Sequence, residues 1–178
     1  EAGIDFATIV RGLDRFNGVD RRFQHKGQVA GIDVFDDYGH HPTEIEAVLR
    51  AFRERYGDRK LYVAFQPHRY SRTKLCWEQF HTCFSQADYV YLADIYAAGE
   101  DPIANVDSDA MLAGVKAQTA QFHPRQGVAA GLLRIASKSG LTPVLSETAT
   151  RLAKDLVAGE AAGAGPAVVS LGAGGLAK

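Results

Sequence analysis

Apolar residues along the chain alternate between two periods. Short runs with strand character lie at 28–36, 60–66, 88–94, 142–145 and 167–171. Between them, residues at about 43–56, 73–85, 108–120, 128–138 and 148–158 carry the three-to-four residue spacing of helices with one buried face. Strand and helix in repetition predict a mixed, mostly parallel Rossmann-like sheet with helices on both faces. Ahead of the first strand, Arg21-Arg22-Phe23-Gln24-His25-Lys26-Gly27 places a glycine where a hairpin would reverse the chain, which predicts an antiparallel strand at the sheet edge. An amphipathic pattern at Ile4, Phe6, Ile9, Val10 and Leu13 precedes all of this and reads as the continuation of something else. With a first residue that is Glu1, the expectation is one domain, residues 1–178, of a longer protein.

Local signals support the boundaries. Pro42-Thr43-Glu44-Ile45 puts proline and an acid in a first helical turn, where the missing N–H costs nothing and negative charge is favoured. Asp107-Ser108 offers an N-cap, and Gly57 and Gly140 end helices.

Two polar clusters stand out against this frame. Asp36-Asp37-Tyr38-Gly39-His40-His41-Pro42 follows the first parallel strand, and Gln66-Pro67-His68-Arg69-Tyr70-Ser71-Arg72-Thr73 follows the second. If the two strands are neighbours, both clusters reach the carboxyl edge of the sheet, where ligands of open α/β folds bind. Imidazoles at a helix start, beside first-turn amides, suit an anion. The guanidiniums of Arg69 and Arg72 can hold a carboxylate in a fork. A small carboxylate or a phosphate is the ligand class this chemistry points to, with Asp36 or Asp37 available to hydroxyls.

Composition narrows the picture. With 20 basic and 21 acidic residues and a formal charge of -1, no broad field recruits nucleic acid or an acidic membrane surface. No run of 18 apolar residues suggests a membrane span. Cys76 and Cys83 lie two turns apart along one predicted helix, about 10 Å by helical rise, too far to bridge, so a reducing, cytoplasmic compartment is expected. Zinc held by His40, His41 and His68 is an alternative, weakened because adjacent histidines point apart. Tyr62, Phe65, Trp77, Phe80, Phe84, Tyr89 and Tyr91 have the spacing of core aromatics, and His81 and His123, lacking charged company, are expected at the surface. Gly172-Ala173-Gly174-Gly175 lacks the Lys-Ser/Thr of a phosphate-binding loop and receives no role.

Five blocks in order, Phe16-Asn17-Gly18-Val19-Asp20-Arg21-Arg22-Phe23, Asp36 to Ile45, Phe65 to Thr73, Asp94-Ile95-Tyr96-Ala97-Ala98-Gly99-Glu100 and Leu171-Gly172-Ala173-Gly174, closely resemble the C-terminal domain of the Mur ligase family. Pro67-His68-Arg69-Tyr70-Ser71-Arg72-Thr73 is similar to the branch that adds L-alanine to UDP-N-acetylmuramate rather than the branch that attaches a whole peptide in cell-wall recycling. The resemblance implies a three-domain cytoplasmic enzyme of peptidoglycan synthesis. It uses ATP and Mg2+ to form an acyl phosphate, with the ATPase and UDP-sugar domains lying outside these residues and Mg2+ held mainly by the former. It further implies that Tyr38, His40, His68, Arg69 and Arg72 surround L-alanine, that Asp37 holds the ATP ribose and that Arg22 lies near the phosphates. No metal ligand and no catalytic residue of its own are expected. The family pattern has one helix and a strand after Pro102, whereas residues 107–140 read as two helices. Two other classes fit the clusters: a non-catalytic nucleotide- or carboxylate-binding module, and a phosphoesterase using His40 or His68 as nucleophile or acid.

Overall fold

A computed structural model describes residues 3–16, 18–29, 31–122, 129–132 and 167–172. In chain order the elements are α1 (Phe6–Asp14), β1 (Gln24–Val29), β2 (Ile32–Asp37), α2 (Pro42–Tyr56), β3 (Leu61–Phe65), α3 (Tyr70–Leu75), α4 (Trp77–Thr82), β4 (Tyr89–Leu92), α5 (Ser108–Phe122), β5 (Ala129–Leu132) and β6 (Ala167–Leu171). The six strands form one sheet in the order β1-β2-β6-β3-β4-β5. Only β1 runs antiparallel to its neighbour among the described strands; the other four pairings are parallel. The mixed sheet with an antiparallel edge is therefore as expected.

Three details differ from the sequence reading. The 28–36 run is two strands, β1 ending at Val29 and β2 starting at Ile32, with Gly31 at φ 84 just ahead of β2, and Gly27 marks a register shift within β1 rather than the turn itself. The 73–85 helix is broken at Cys76 into α3 and α4. The helix expected at 128–138 is replaced at 129–132 by β5, parallel to β4. A short run such as Ala-Ala-Gly-Leu has no period that separates a helix from an edge strand, and pairing with Tyr89–Leu92 decides it. The runs at 142–145 and 148–158, Gly140 and His123 lie outside the described residues.

The main core lies on one face of the sheet. Phe35, Val63, Phe65, Val169 and Leu171 from the strands meet Ile45, Leu49 and Phe52 of α2, Phe80 of α4, and Met111 and Val115 of α5. Each such large side chain, fully removed from water, stabilises the fold by about 1.5–3 kcal/mol. Ile32, Val34, Tyr62 and Val168 form a second cluster, with Tyr89 and Tyr91 packed against it. The aromatic residues behave as foreseen: Tyr62, Phe65, Phe80 and Phe84 are buried, and Trp77, Tyr89 and Tyr91 half-buried.

His81 does not lie at the surface. It is 8% exposed, its ring edge-on to Trp77 and pressed against Gly114 of α5, where an added Cβ would collide with the imidazole. Nor does it lack charged company, since Glu78 Oε2 lies 3.6 Å from its Nδ1; the ring fills space against α5, and Gly114 supplies the room. Helix α1, capped by Asp5, buries none of its residues, and Ile4, Phe6, Ile9 and Leu13 are exposed. Among the described residues no helix is long and apolar enough to cross a membrane. Cys76 and Cys83 are buried free thiols.

Candidate functional site

The sequence reading made β2 and β3 neighbours. They are not: β6 runs between them, with Leu171 level with Asp37 on one side and Phe65 on the other. The loops nevertheless converge, because β6 ends at that level while both flanking chains continue upward. Gly172 N donates to Asp37 O at 3.3 Å and Gln66 N to Leu171 O at 3.1 Å, stitching the three strand ends together. Above them the His40 and His68 rings face each other with centroids 6.4 Å apart.

The loop after β2 is held from below. Asp37, 2% exposed, accepts from Gly39 N and Phe23 N, both at 2.6 Å. Burial pushes its carboxyl above the ordinary carboxylate range, against the opposing pull of those two amides and of Arg22. Pointing inward, Asp37 organises the turn in this arrangement. Asp36, on the alternate face, pairs with Arg21 at 3.2 Å. Arg21 also donates to Gly172 O at 2.6 Å, and both Arg21 and Arg22 stack on the Tyr38 ring at 5.0 and 5.6 Å. This clasp needs unusual backbone: Arg21 and Phe23 have φ of 58 and 46, left-handed values costly for residues with a side chain.

The first turn of α2 is satisfied from within. His41 is the N-cap, accepting from Thr43 N, and Glu44 reaches back so that one oxygen accepts from His40 N at 3.0 Å and His41 N at 3.1 Å. Of the first-turn amides that could cradle an anion, Thr43 N is taken by His41 Nδ1, and Glu44 takes the two amides just ahead of the helix. Although partial burial opposes it, those amides, His40 and Arg22 hold the Glu44 carboxyl below its ordinary value. His41 turns its Nε2 towards Cys76 Sγ at 3.6 Å, away from the crevice. His40 remains at the rim, with Nδ1 3.0 Å from Tyr38 O and 3.6 Å from Glu44 Oε2. A carbonyl only accepts, so the proton sits on Nδ1 and the Nε2 lone pair is left over.

The loop after β3 is built differently. Arg69 takes φ 73, fixed by its N–H donating to Tyr96 O at 2.8 Å and by its carbonyl accepting from the Thr73 hydroxyl at 2.8 Å. Glu100 accepts from Ser71 N and Oγ at 2.8 and 2.7 Å and lies 3.7 Å from Arg69 Nη1. His68 packs on the Tyr96 ring, and Arg72 Nη1 approaches its Nδ1 at 3.4 Å. A guanidinium only donates, so the neutral His68 ring carries its proton on Nε2. Burial first, then the charges of Arg72, Arg69 and His40, hold the His68 pKa below its ordinary value, with Glu100 opposing.

Of the residues singled out from sequence, Tyr38, His40, His68 and Arg72 come together at one rim through the ring and guanidinium contacts above. Arg69 stands exposed beside them with Glu100, Arg22 lies over Tyr38 near Glu44, and Asp37 lies beneath. Glu44, Glu100, Arg21 and Tyr96 were not weighed as site residues. The His-x-x-Glu spacing of a capping box could have found Glu44; Glu100 and Tyr96 approach from the loop after β4, a tertiary contact with no local signature. Among the described residues no three His, Cys, Asp or Glu side chains are placed to hold a metal ion.

A six-stranded, mostly parallel α/β sheet with histidines and arginines at its carboxyl edge is the class of domain these residues define. The chain belongs to the Mur ligase family: the family model described as Mur ligase, glutamate ligase domain, matches residues 21–146. A protein of Bdellovibrio bacteriovorus named UDP-N-acetylmuramate--L-alanine ligase is 57% identical over 124 residues, which cover 70% of this chain and 27% of that protein. Another of the same name from Desulfotalea psychrophila is 49% identical over 122 residues, 68% of this chain and 27% of that protein. The chain thus spans about a quarter of the length of these curated relatives. Among solved structures, the UDP-N-acetylmuramate-alanine ligase of Thermotoga maritima superposes with a TM-score of 0.63 at 23% identity, over 97% of this chain and 31% of that one, a likeness of fold.

Proposed function

We propose that this chain is the C-terminal, amino-acid-side domain of a three-domain cytoplasmic ligase that joins L-alanine to the lactyl carboxylate of UDP-N-acetylmuramate during peptidoglycan synthesis. One observation carries the reading: at a single sheet edge two imidazoles face each other with Arg72 beside one of them and Arg69 nearby, charge suited to a small amino acid, in a chain 57% identical over 124 residues to a protein named as that ligase. Arg69 and Arg72 receive the alanine carboxylate, His68 adds its Nε2–H, and Tyr38 and His40 close the opposite side. Arg22, exposed over Tyr38, is the group turned towards nucleotide phosphates. The geometry makes Asp37 the support of that region, and contact with a ribose would need the turn to open.

In this mechanism ATP converts the lactyl carboxylate to an acyl phosphate, the amine attacks it, and phosphate leaves. The 178 residues contain no Gly-Lys-Ser/Thr loop, so the phosphates and their Mg2+ are held chiefly by the central domain, and catalysis depends on closure of this domain onto it. The test is ADP release with ATP, UDP-N-acetylmuramate and L-alanine. The full-length ligase turns over and residues 1–178 alone do not. Turnover by the isolated chain would refute the split site.

A further inference from the structure

The two imidazoles of the rim are wired in opposite senses. His40 Nδ1 donates to Tyr38 O, a Glu44 oxygen lies 3.6 Å behind it, and the ring offers a lone pair at Nε2. His68 receives Arg72 at Nδ1 and offers an N–H. Among the described residues neither Nε2 has a hydrogen-bond partner. One side of the crevice is therefore an acceptor backed by a carboxylate and a carbonyl, while the other is a set of donors backed by guanidiniums. An α-amino acid is a zwitterion whose ammonium and carboxylate sit on one carbon, so this polarity lays its carboxylate against Arg72 and His68 and its ammonium against His40.

We propose that His40 Nε2 is the base that removes a proton from the incoming amino acid's ammonium before it attacks the acyl phosphate. This rests on the ligase reading above. The ammonium is not a nucleophile, since its nitrogen has no lone pair. Transfer of one proton to Nε2 gives a neutral amine and an imidazolium, whose two N–H groups face the substrate and the Tyr38 carbonyl, with the Glu44 carboxylate nearby. The amine lone pair then forms the C–N bond, the C–O bond to phosphate breaks with its electron pair leaving on phosphate, and the nitrogen's second surplus proton goes to solvent, as does the one on His40. The charged and titratable groups around the ring are Glu44 and Tyr38 from its own loop, Arg21 and Arg22 stacked on Tyr38, and His68 opposite. Glu44 alone is an acid, and it lies on the side of Nδ1.

The experiment uses the full-length ligase with His40→Gln. At neutral pH its kcat for amide formation should fall about 10²–10⁴-fold, with the alanine KM little changed, and the deficit should shrink as pH rises and free amine accumulates. Hydroxylamine, uncharged at neutral pH, needs no base and should be converted to the hydroxamate at the wild-type rate. In His40→Ala, added imidazole should restore part of the alanine reaction, a second route to the same answer. An equal loss with hydroxylamine, or a deficit that ignores pH, would overturn the base. So would a raised alanine KM with kcat intact, which would leave His40 as a ligand only and the site reading standing. Arg72→Ala with an unmoved alanine KM would instead overturn the site reading itself, whatever His40 does.

Discussion

The two loops that make the rim solve the same problem by opposite means. The loop after β2 is supported by acids drawn from its own neighbourhood: Asp37 and Glu44 together accept four backbone N–H groups, from Phe23, Gly39, His40 and His41. The loop after β3 is supported from outside, by Glu100 and the Tyr96 carbonyl of the next strand connection, and its own side chains are cations aimed at the crevice. In the first loop the charged groups are structural and leave one imidazole nitrogen over. In the second, Arg69 stands at the rim beside Glu100 and Arg72 beside His68, with only long contacts to the rest of the loop. Loss of a charge should therefore unfold the first loop and unload the second.

Asp37→Ala gives the largest effect on that contrast. It removes the acceptor for two enclosed amides, and since each buried donor left unpaired costs about 1–3 kcal/mol, partly offset by no longer burying a charge, the domain should lose about 3 kcal/mol. A shift of the urea midpoint at constant slope reads it out. A change below ~1 kcal/mol would mean that Asp37 is not the turn's support and would revive a direct nucleotide role for it.

Arg72→Ala is the counterpart. Its intramolecular contacts are long, 3.4 and 3.5 Å to His68, so stability should move by less than about 0.5 kcal/mol. In the full-length ligase the alanine KM should rise by roughly 10- to 150-fold, the equivalent of one charged hydrogen bond of about 1.5–3 kcal/mol, with kcat largely kept. A destabilised protein with an unchanged KM would invert the contrast between the loops.

Much of this was legible in the residues because it is periodic. The alternation Val34, Phe35, Asp36, Asp37 sends Phe35 and Asp37 to one face and Val34 and Asp36 to the other, and two strand-to-helix turns ending in clustered histidine and arginine marked the rim. What stayed hidden is what local pattern does not encode. Val168-Val169-Ser170-Leu171 reads as a strand, yet nothing in it says that it inserts between β2 and β3. Cys76 does not announce a helix break, and His81 is buried only because Gly114, 33 positions on, leaves a hole of its shape. The division of labour between acids also depends on the fold, since the Phe23 amide reaches Asp37 from the chain ahead of β1.

The smallest effect tests the electrostatics of the second loop directly. Burial and the charges of Arg72, Arg69 and His40 hold the His68 pKa below its ordinary value, whereas in the unfolded chain the ring titrates near ~6.5. Between the lowered folded value and the unfolded one, the unfolded chain binds a proton that the folded domain refuses. Stability then rises with pH across that window and falls as the pH drops through it, with no contribution above it, where the ring is neutral in both states. His68→Gln removes this proton and nothing else that titrates, so the wild-type protein should lose more stability than the variant when urea midpoints are compared at pH 7.5 and 5.5. Every other group contributes equally to both proteins, and the difference between the two slopes isolates the ring. Equal slopes would mean that neither burial nor the guanidiniums lower the His68 pKa, and with them would go the donor side of the polarity on which the orientation of the amino acid rests.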